Sequence, residues 1–172
     1  MEEPLKICSA LLLELVSKWS VENKSFRISE VPFNLFDVCV VLGLAVRGQQ
    51  VYFDSCTPGL VNNLFGEEEI TIEKIVLKLQ EEDNVDIYCR LYILLVFSVF
   101  YFPHTSGIVT TFPFGLLDNL QSLKLWNWGE VAHSLLVKSL DRASIQFRQQ
   151  KNNDNQHLAG CVAVLQVCVC FN

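Results

Sequence analysis

Apolar residues recur at three- and four-residue spacing along most of this chain, which is the pattern of amphipathic helices. Polar and turn-forming residues interrupt this pattern and divide it into segments. A short extended pair, predicted as a β-hairpin, occupies Phe26 to Phe33. Helices are predicted over Pro4 to Ser20, from Leu35 to about Leu42, from Thr71 onward, from Val85 or Asp86 to Phe102, near Leu116 to Leu123, from Asn127 to about Ala143, and from about Leu158.

Three of these helices carry start or stop signals in their flanking residues. Asn34 is a good N-cap and Asp37 lies three residues later, where an acidic side chain favours the helix N-terminus. Gly43 can adopt the left-handed conformation that ends such a helix. Thr71 and Asn127 are predicted caps of two later helices.

Length and periodicity together predict one mostly helical domain over residues 1–172, with six or seven helices and one small hairpin near the N-terminus. The helix that ends at Phe102 is apolar nearly all round, so it is expected to be the central helix of the bundle. The polar segment 146–156 is expected to be a solvated loop.

The overall composition argues against several classes of partner. Hydrophobic residues make up 51% of the chain and charged residues 19%, with a net charge of −6. The acidic balance opposes general attraction to nucleic acid, and Arg47, Arg142, Arg148 and Lys151 are too sparse for a basic stripe. The longest apolar stretches fall short of the ~20 residues of a membrane span, and no secretory signal is seen. We therefore expect an intracellular protein without a membrane span.

Cysteine and histidine chemistry gives no specific signal. The seven cysteines are an odd number and lie mostly in apolar runs, as expected for reduced core residues. A metal set can be written from His157, Cys161, Cys168 and Cys170, but the Cys168 to Cys170 spacing on a helix separates the thiols. A thiol-protease set of Cys89, His133 and Asp141 lacks any local signature. The sequence therefore predicts neither a metal site nor a catalytic site.

Three tracts resemble a known family in order and spacing. They are Phe26 to Val51, Asn127 to Leu136 and Gly160 to Val167, and together they resemble the plant mobile domain, found in plant transposable elements and their domesticated relatives. The positions that match the family's motifs are Asp37, Gly43, Gly48, Arg90, Gly107, Asn127, Trp128, Gly129, Gly160 and Gln166. They are expected to serve structure or interaction.

The resemblance implies a transposon-derived protein that acts in the nucleus and binds protein partners without catalysis. The alternative is an accessory or nuclease-like protein of a transposable element, with catalytic acids that the sequence does not identify. Relatives often carry the label "aminotransferase-like". No lysine here lies in a Gly- or Ser-rich phosphate cup, so neither transaminase activity nor any cofactor is expected.

The end of the chain departs from the family pattern. Relatives continue beyond the Leu165-Gln166-Val167 motif, whereas this chain ends at Asn172, so a domain truncated at its C-terminus is expected. The final helix is apolar on more than one face. We therefore expect Val164, Val167 or Phe171 to be partly exposed, and self-association to be possible.

Overall fold

The structure is a computed structural model that describes residues 8–27, 33–51, 59–66, 69–104, 109, 114–149 and 158–170. These residues are mostly helical, with seven α-helices and one two-stranded antiparallel hairpin near the N-terminus. The fold class predicted from the sequence is therefore confirmed. The Cα positions group into two compact units, unit 1 (Met1–Val46 and Gly129–Asn172) and unit 2 (Arg47–Trp128). One domain over residues 1–172 stays a prediction.

Unit 1 contains the hairpin and four of the helices. Its elements are α1 (Ser9–Lys18), β1 (Trp19–Ser20), β2 (Ser25–Phe26), α2 (Leu35–Leu42), α6 (Trp128–Arg148, in this unit from Gly129 onward) and α7 (Ala163–Cys170). Both α1 and α2 contact α7. The core includes Trp19, Leu15, Val38, Leu140 and Leu165, all of which are fully or almost fully buried.

The hairpin lies earlier in the chain than the sequence predicted. Trp19 pairs with Phe26 and Ser20 with Ser25, so the two residues expected to end the first helix are β1 instead. Residues 28–32 of the predicted pair lie outside the described part of the chain. The rings of Trp19, Phe26 and Phe33 meet edge to face, and this aromatic packing holds the hairpin against the core.

The caps of α2 match the prediction. The Asn34 side chain accepts a hydrogen bond from the Asp37 backbone N–H at 3.2 Å, and the Asp37 carboxylate accepts one from the Asn34 N–H at 2.9 Å. Gly43 ends the helix with φ of 65°, a left-handed conformation that glycine adopts without a Cβ penalty. Local side-chain chemistry therefore determines both ends of α2.

Unit 2 is built around α5. Its helices are α3 (Leu60–Asn63), α4 (Ile72–Glu81) and α5 (Val85–Val96), followed by a π-helical segment (Phe97–Tyr101) and two 3₁₀ segments (Gly115–Asp118 and Leu120–Leu125). Thr71 caps α4 as predicted, because its hydroxyl accepts from the Lys74 N–H. The short α3 was not predicted, and the segment near Leu116 to Leu123 is 3₁₀ rather than α-helical.

The last two helices differ from the predicted bounds. α6 begins at Trp128, directly after the predicted cap Asn127, but it continues to Arg148 and so includes residues 146–148 of the predicted polar loop. α7 begins at Ala163 rather than near Leu158, because Gly160 has φ of 90°, a conformation that a helix cannot contain. Of the three residues among which partial exposure was predicted, Val164 is fully buried and Val167 is only half-buried, so Val167 is partly exposed. Phe171 lies outside the described residues.

Candidate interaction surface

The family-motif residues of unit 1 lie in helix ends and helix contacts. Asp37 belongs to the capping box of α2, Gly43 ends that helix, and Gly129 is buried in the first turn of α6. A Cβ on Gly160 would lie 3.1 Å from the Leu136 side chain, so this glycine lets the chain pass close to α6. Gln166 is half-buried on α7, and its Oε1 atom is buried without a hydrogen-bond donor. Asp37, Gly43, Gly129 and Gly160 therefore lie where helices begin, end or pack against each other.

In unit 2 the structure brings two of the motif residues together. The Gln49 N–H donates to the Leu125 carbonyl at 2.6 Å, and the Asn127 N–H donates to the Gln49 carbonyl at 2.9 Å. A Cβ on the adjacent Gly48 would lie 2.7 Å from the Asn127 backbone nitrogen, closer than real Cβ atoms approach. Gly48 is therefore required for the close contact of two backbone segments.

Arg90 and Trp128 also belong to the packing of unit 2. The Arg90 guanidinium donates to the Asp86 carbonyl at 2.7 Å and to the Asp118 carbonyl at 3.3 Å. The Trp128 ring packs 4.7 Å from Phe97 between centroids, and its indole N–H donates to the Leu123 carbonyl. Trp128 is therefore a packing residue of unit 2. Gly107 lies outside the described residues.

Two of the three side chains considered as catalytic candidates, Asp141 and His133, have structural partners. The Asp141 carboxylate accepts hydrogen bonds from the Trp19 indole and from the Lys24 ammonium. The His133 ring stacks at a tilt on Phe33, with Nε2 3.3 Å from the Phe33 carbonyl oxygen. Cys89 belongs to unit 2, whereas His133 and Asp141 belong to unit 1.

Three thiols of unit 1, those of Cys39, Cys161 and Cys168, have a raised pKa. Burial raises the pKa of Cys39 and of Cys161 above the ordinary value. Burial, followed by the negative charge of Asp37, raises the pKa of Cys168 to about 11. Reactive cysteines need the opposite shift, since the thiolate is the nucleophile and the metal ligand. Within the described ranges, no three His, Cys, Asp or Glu side chains are grouped so that they could hold a metal ion.

The most distinctive surface of the described residues is one face of α5 and the turn that follows it. We call it the α5 stripe and define it as Val85, Tyr88, Tyr92, Leu95 and Val99. Val85 is 75% exposed, Tyr88 42%, Tyr92 53% and Val99 53%, while Leu95 is half-buried. The two tyrosine rings stack on each other, with centroids 6.4 Å apart and planes 8° apart. The neighbouring Phe100 is also about half exposed.

The opposite face of α5 explains why the stripe points outward. Leu91 and Leu94 are fully buried, and Phe97 is nearly so. This buried face contacts α4, α3 and the first 3₁₀ segment. Among the described residues α5 thus packs against three elements of unit 2, while Val85, Tyr88 and Tyr92 on its other face remain exposed.

A π-helical turn shapes the end of the stripe. The Phe102 N–H donates to the Phe97 carbonyl at 2.7 Å, the five-residue spacing of a π-helix. The buried Ser98 hydroxyl donates to the Leu94 carbonyl at 2.8 Å. In this wider turn Val99 and Phe100 are both about half exposed, so the apolar surface broadens there. Turns of this kind occur frequently at functional sites.

Sequence reasoning missed the stripe, although a signal for it was present. Its residues are spaced by three, four, three and four positions, which is the heptad spacing of a coiled-coil seam. Tyr88 and Tyr92 also carry polar hydroxyls, which suit a half-exposed position better than a fully enclosed one.

None of the described helices has the length and hydropathy that a membrane crossing requires.

Comparison with known proteins gave one match. A family model described as a domain of unknown function (DUF8566) matches residues 3–166, which includes the whole α5 stripe. No curated protein and no solved structure matches the chain. The description of this family states no activity.

Proposed function

We propose that this chain, which belongs to the DUF8566 family of domains of unknown function, is a non-catalytic module that binds protein partners through the α5 stripe. We also propose that it is a transposon-derived or domesticated plant protein that acts in the nucleus. The support for this second statement is the resemblance of its motif residues to the plant mobile domain.

The exposed α5 stripe is the observation that carries the proposal. Single exposed apolar side chains are normal on protein surfaces, but contiguous apolar patches often mark interaction sites. Val85 and Tyr92 on α5 and Val99 in the π-helical segment lie seven residues apart and are each more than half exposed. Covering roughly 500 Å² of apolar surface would contribute on the order of 10 kcal/mol before the cost of association is subtracted. Amphipathic helices are a common class of partner for an apolar protein surface.

The partners of the catalytic candidates also favour a binding role. Asp141 is occupied by Trp19 and Lys24, and the His133 ring packs on Phe33. The raised pKa of Cys168 keeps its thiol protonated at neutral pH. Asp141 and His133 thereby hold α6 against the hairpin and against Phe33.

The proposal is tested by comparing stripe variants with a matched surface variant. Tyr92→Glu places a charge in the stripe, whereas Val40→Glu places one at an equally open position on α2, where Val40 is 62% exposed. Proteins labelled in proximity to the chain in plant cells should be lost with Tyr92→Glu and retained with Val40→Glu. Equal labelling by both variants would argue against the stripe as the contact face.

Two further measurements address localisation and the alternative function. A fluorescent fusion of the full chain should accumulate in the nucleus, and a cytoplasmic signal would remove that part of the proposal.

The purified chain should leave plasmid DNA intact in Mg²⁺ or Mn²⁺. Metal-dependent cleavage that is lost on substitution of specific carboxylates would favour the nuclease-like alternative instead.

A further inference from the structure

We propose that unit 2 opens and closes as one cooperative unit while unit 1 stays folded, and that a backbone contact near its two ends is the clasp that keeps it closed. We name this contact the Gln49 clasp and define it as Gly48, Gln49 and residues 125–127. The inference is independent of the proposed function, because it concerns which parts of the chain unfold together.

Unit 2 is one continuous stretch of the chain. It comprises Arg47–Trp128, whereas unit 1 consists of two stretches, Met1–Val46 and Gly129–Asn172. A stretch of about 80 residues is long enough to bury a core of its own. Continuous stretches of this kind can open as separate cooperative units, because their contacts form without the rest of the chain. The order of the chain therefore allows unit 2 to unfold by itself.

Unit 2 has a core to which each of its helices contributes. The central element is α5, which contacts α3, α4 and the first 3₁₀ segment. The fully buried side chains of these four elements include Val61, Ile75, Leu91, Leu94 and Leu117. Loss of any one element would expose apolar side chains of the others to water, which costs free energy. The four elements are therefore expected to open together rather than one at a time.

The Gln49 clasp joins the two ends of unit 2. The Gln49 N–H donates to the Leu125 carbonyl at 2.6 Å, and the Gln49 carbonyl accepts from the Asn127 N–H at 2.9 Å. Gln49 and Trp126 thereby form a parallel bridge. A Cβ on Gly48 would lie 2.7 Å from the backbone of Trp126 and Asn127, so only glycine permits this approach. The ends of unit 2 cannot separate without breaking both hydrogen bonds.

The clasp depends on the fold of unit 2 because its two sides are distant in sequence. Closing a long loop costs conformational entropy, so the bridge forms only when the elements between its two sides are in place. Its hydrogen bonds also lie near the surface, since Gln49 is exposed and Leu125 is 48% exposed. Exposed backbone hydrogen bonds mark the parts of a fold that open most readily. We therefore expect the opening of unit 2 to begin at the clasp.

Unit 1 is held together by contacts of its own. Both α1 and α2 contact α7, and Asp141 and Arg148 of α6 bind Trp19 of the hairpin. Each of these four helices also carries a fully buried side chain, namely Leu15, Val38, Leu140 and Leu165. These contacts join residues of unit 1 to each other, so they remain when unit 2 opens.

Hydrogen exchange of the full wild-type chain tests whether the two units open separately. It is followed by mass spectrometry at urea concentrations below the unfolding midpoint. Amides of α4 and α5 should share one opening event that leaves the amides of α6 protected. Their exchange rates should rise less steeply with urea than those of α6, because opening unit 2 exposes less surface than unfolding the whole chain. The proposal is overturned if amides of α5 and α6 exchange only through the same event.

Two glycine variants test the clasp. Gly48→Ala breaks the bridge, so it should raise the exchange rates of α4 and α5 on the order of 100-fold and leave those of α6 within about twofold. Gly43→Ala lies at the end of α2 in unit 1, and it should leave exchange in α4 and α5 within about twofold of the wild type.

Two results with Gly48→Ala would contradict the proposal. An equal acceleration in α5 and α6 would show that the chain opens as a whole. Unchanged exchange in α5 would show that the clasp does not hold unit 2 closed.

A milder variant keeps the proposal testable if Gly48→Ala does not fold. Ile75→Val removes one buried methyl group from α4 and leaves the clasp residues unchanged. Exchange in α4 and α5 should rise roughly fivefold, whereas exchange in α6 should stay the same. A rise of similar size in α6 would mean that unit 2 does not open separately, and the proposal would then fail.

Discussion

The indole N–H of Trp19 donates a hydrogen bond to the Asp141 carboxylate at 2.9 Å across 122 positions of sequence. The other Asp141 oxygen accepts from the Lys24 ammonium at 2.5 Å. Two further groups on α6 bind the Trp19 carbonyl, since the Arg148 guanidinium donates to it at 2.7 Å and the Ser144 hydroxyl at 3.4 Å. One face of α6 therefore satisfies the polar atoms of a fully buried tryptophan and fixes the hairpin of unit 1.

Loss of the Asp141 carboxylate should destabilise the chain strongly. In Asp141→Ala the Trp19 N–H is buried without an acceptor, so we expect a loss of about 2–3 kcal/mol in the free energy of unfolding. Asp141→Asn retains an amide oxygen and should cost less. Lys18→Ala, which breaks an exposed pair with Glu14, should change the free energy by under about 0.5 kcal/mol. Urea unfolding followed by tryptophan fluorescence measures all three, and equal losses would contradict this account.

Gly48→Ala should be the more costly of two glycine substitutions. Its added Cβ would lie 2.7 Å from backbone atoms of Trp126 and Asn127, which cannot move without breaking the Gln49 hydrogen bonds. We expect a loss of about 3 kcal/mol. Gly43→Ala meets open space but requires a left-handed residue, and should cost about 1 kcal/mol. Denaturant titration compares them, and a smaller loss for Gly48→Ala would mean that this backbone contact is not tight.

The α2 cap should contribute a measurable share of stability. Asn34→Ala removes the acceptor for the Asp37 N–H, and we expect a loss of about 1 kcal/mol. Asn34→Ser retains a capping oxygen and should recover most of that loss. Thermal unfolding of the two variants tests this prediction. A loss that serine fails to recover would show that Asn34 acts through contacts other than the cap.

Stability should fall as the pH rises through the range in which the buried thiols ionise. The pKa of Cys168 is raised from 9.0 to about 11, so its stabilising effect is fully present below pH 9 and is lost between pH 9 and 11. In that window the unfolded chain releases the proton before the folded chain does. Cys168→Ala should therefore show a smaller decline in stability over this window than the wild type.

The control for the thiol prediction is Cys8→Ala, because Cys8 is exposed whereas Cys168 is half-buried. Its decline between pH 9 and 11 should match that of the wild type when unfolding in urea is measured at several pH values. The same decline in Cys168→Ala would assign the effect to other groups.

Helix ends could be predicted from the sequence because capping depends on residues that are close in the chain. Asn34 with Asp37, Gly43 and Thr71 form the expected caps, and each contact spans three or four residues. Gly48 was identified as a family-motif residue. A glycine is needed at this position because residues 125–127 approach its backbone closely. That contact could not be predicted, since those residues lie far along the chain.

The sequence by itself determined the helical class of this protein, the small hairpin near its start and the local signals that begin and end α2 and α4. Only the tertiary structure decided that Trp19 belongs to a strand, because its partners Asp141, Ser144 and Arg148 are over 120 residues away. It also decided which face of α5 is buried. A helix that is apolar nearly all round offers several equivalent faces, and the positions of its neighbours left Val85, Tyr92 and Val99 exposed.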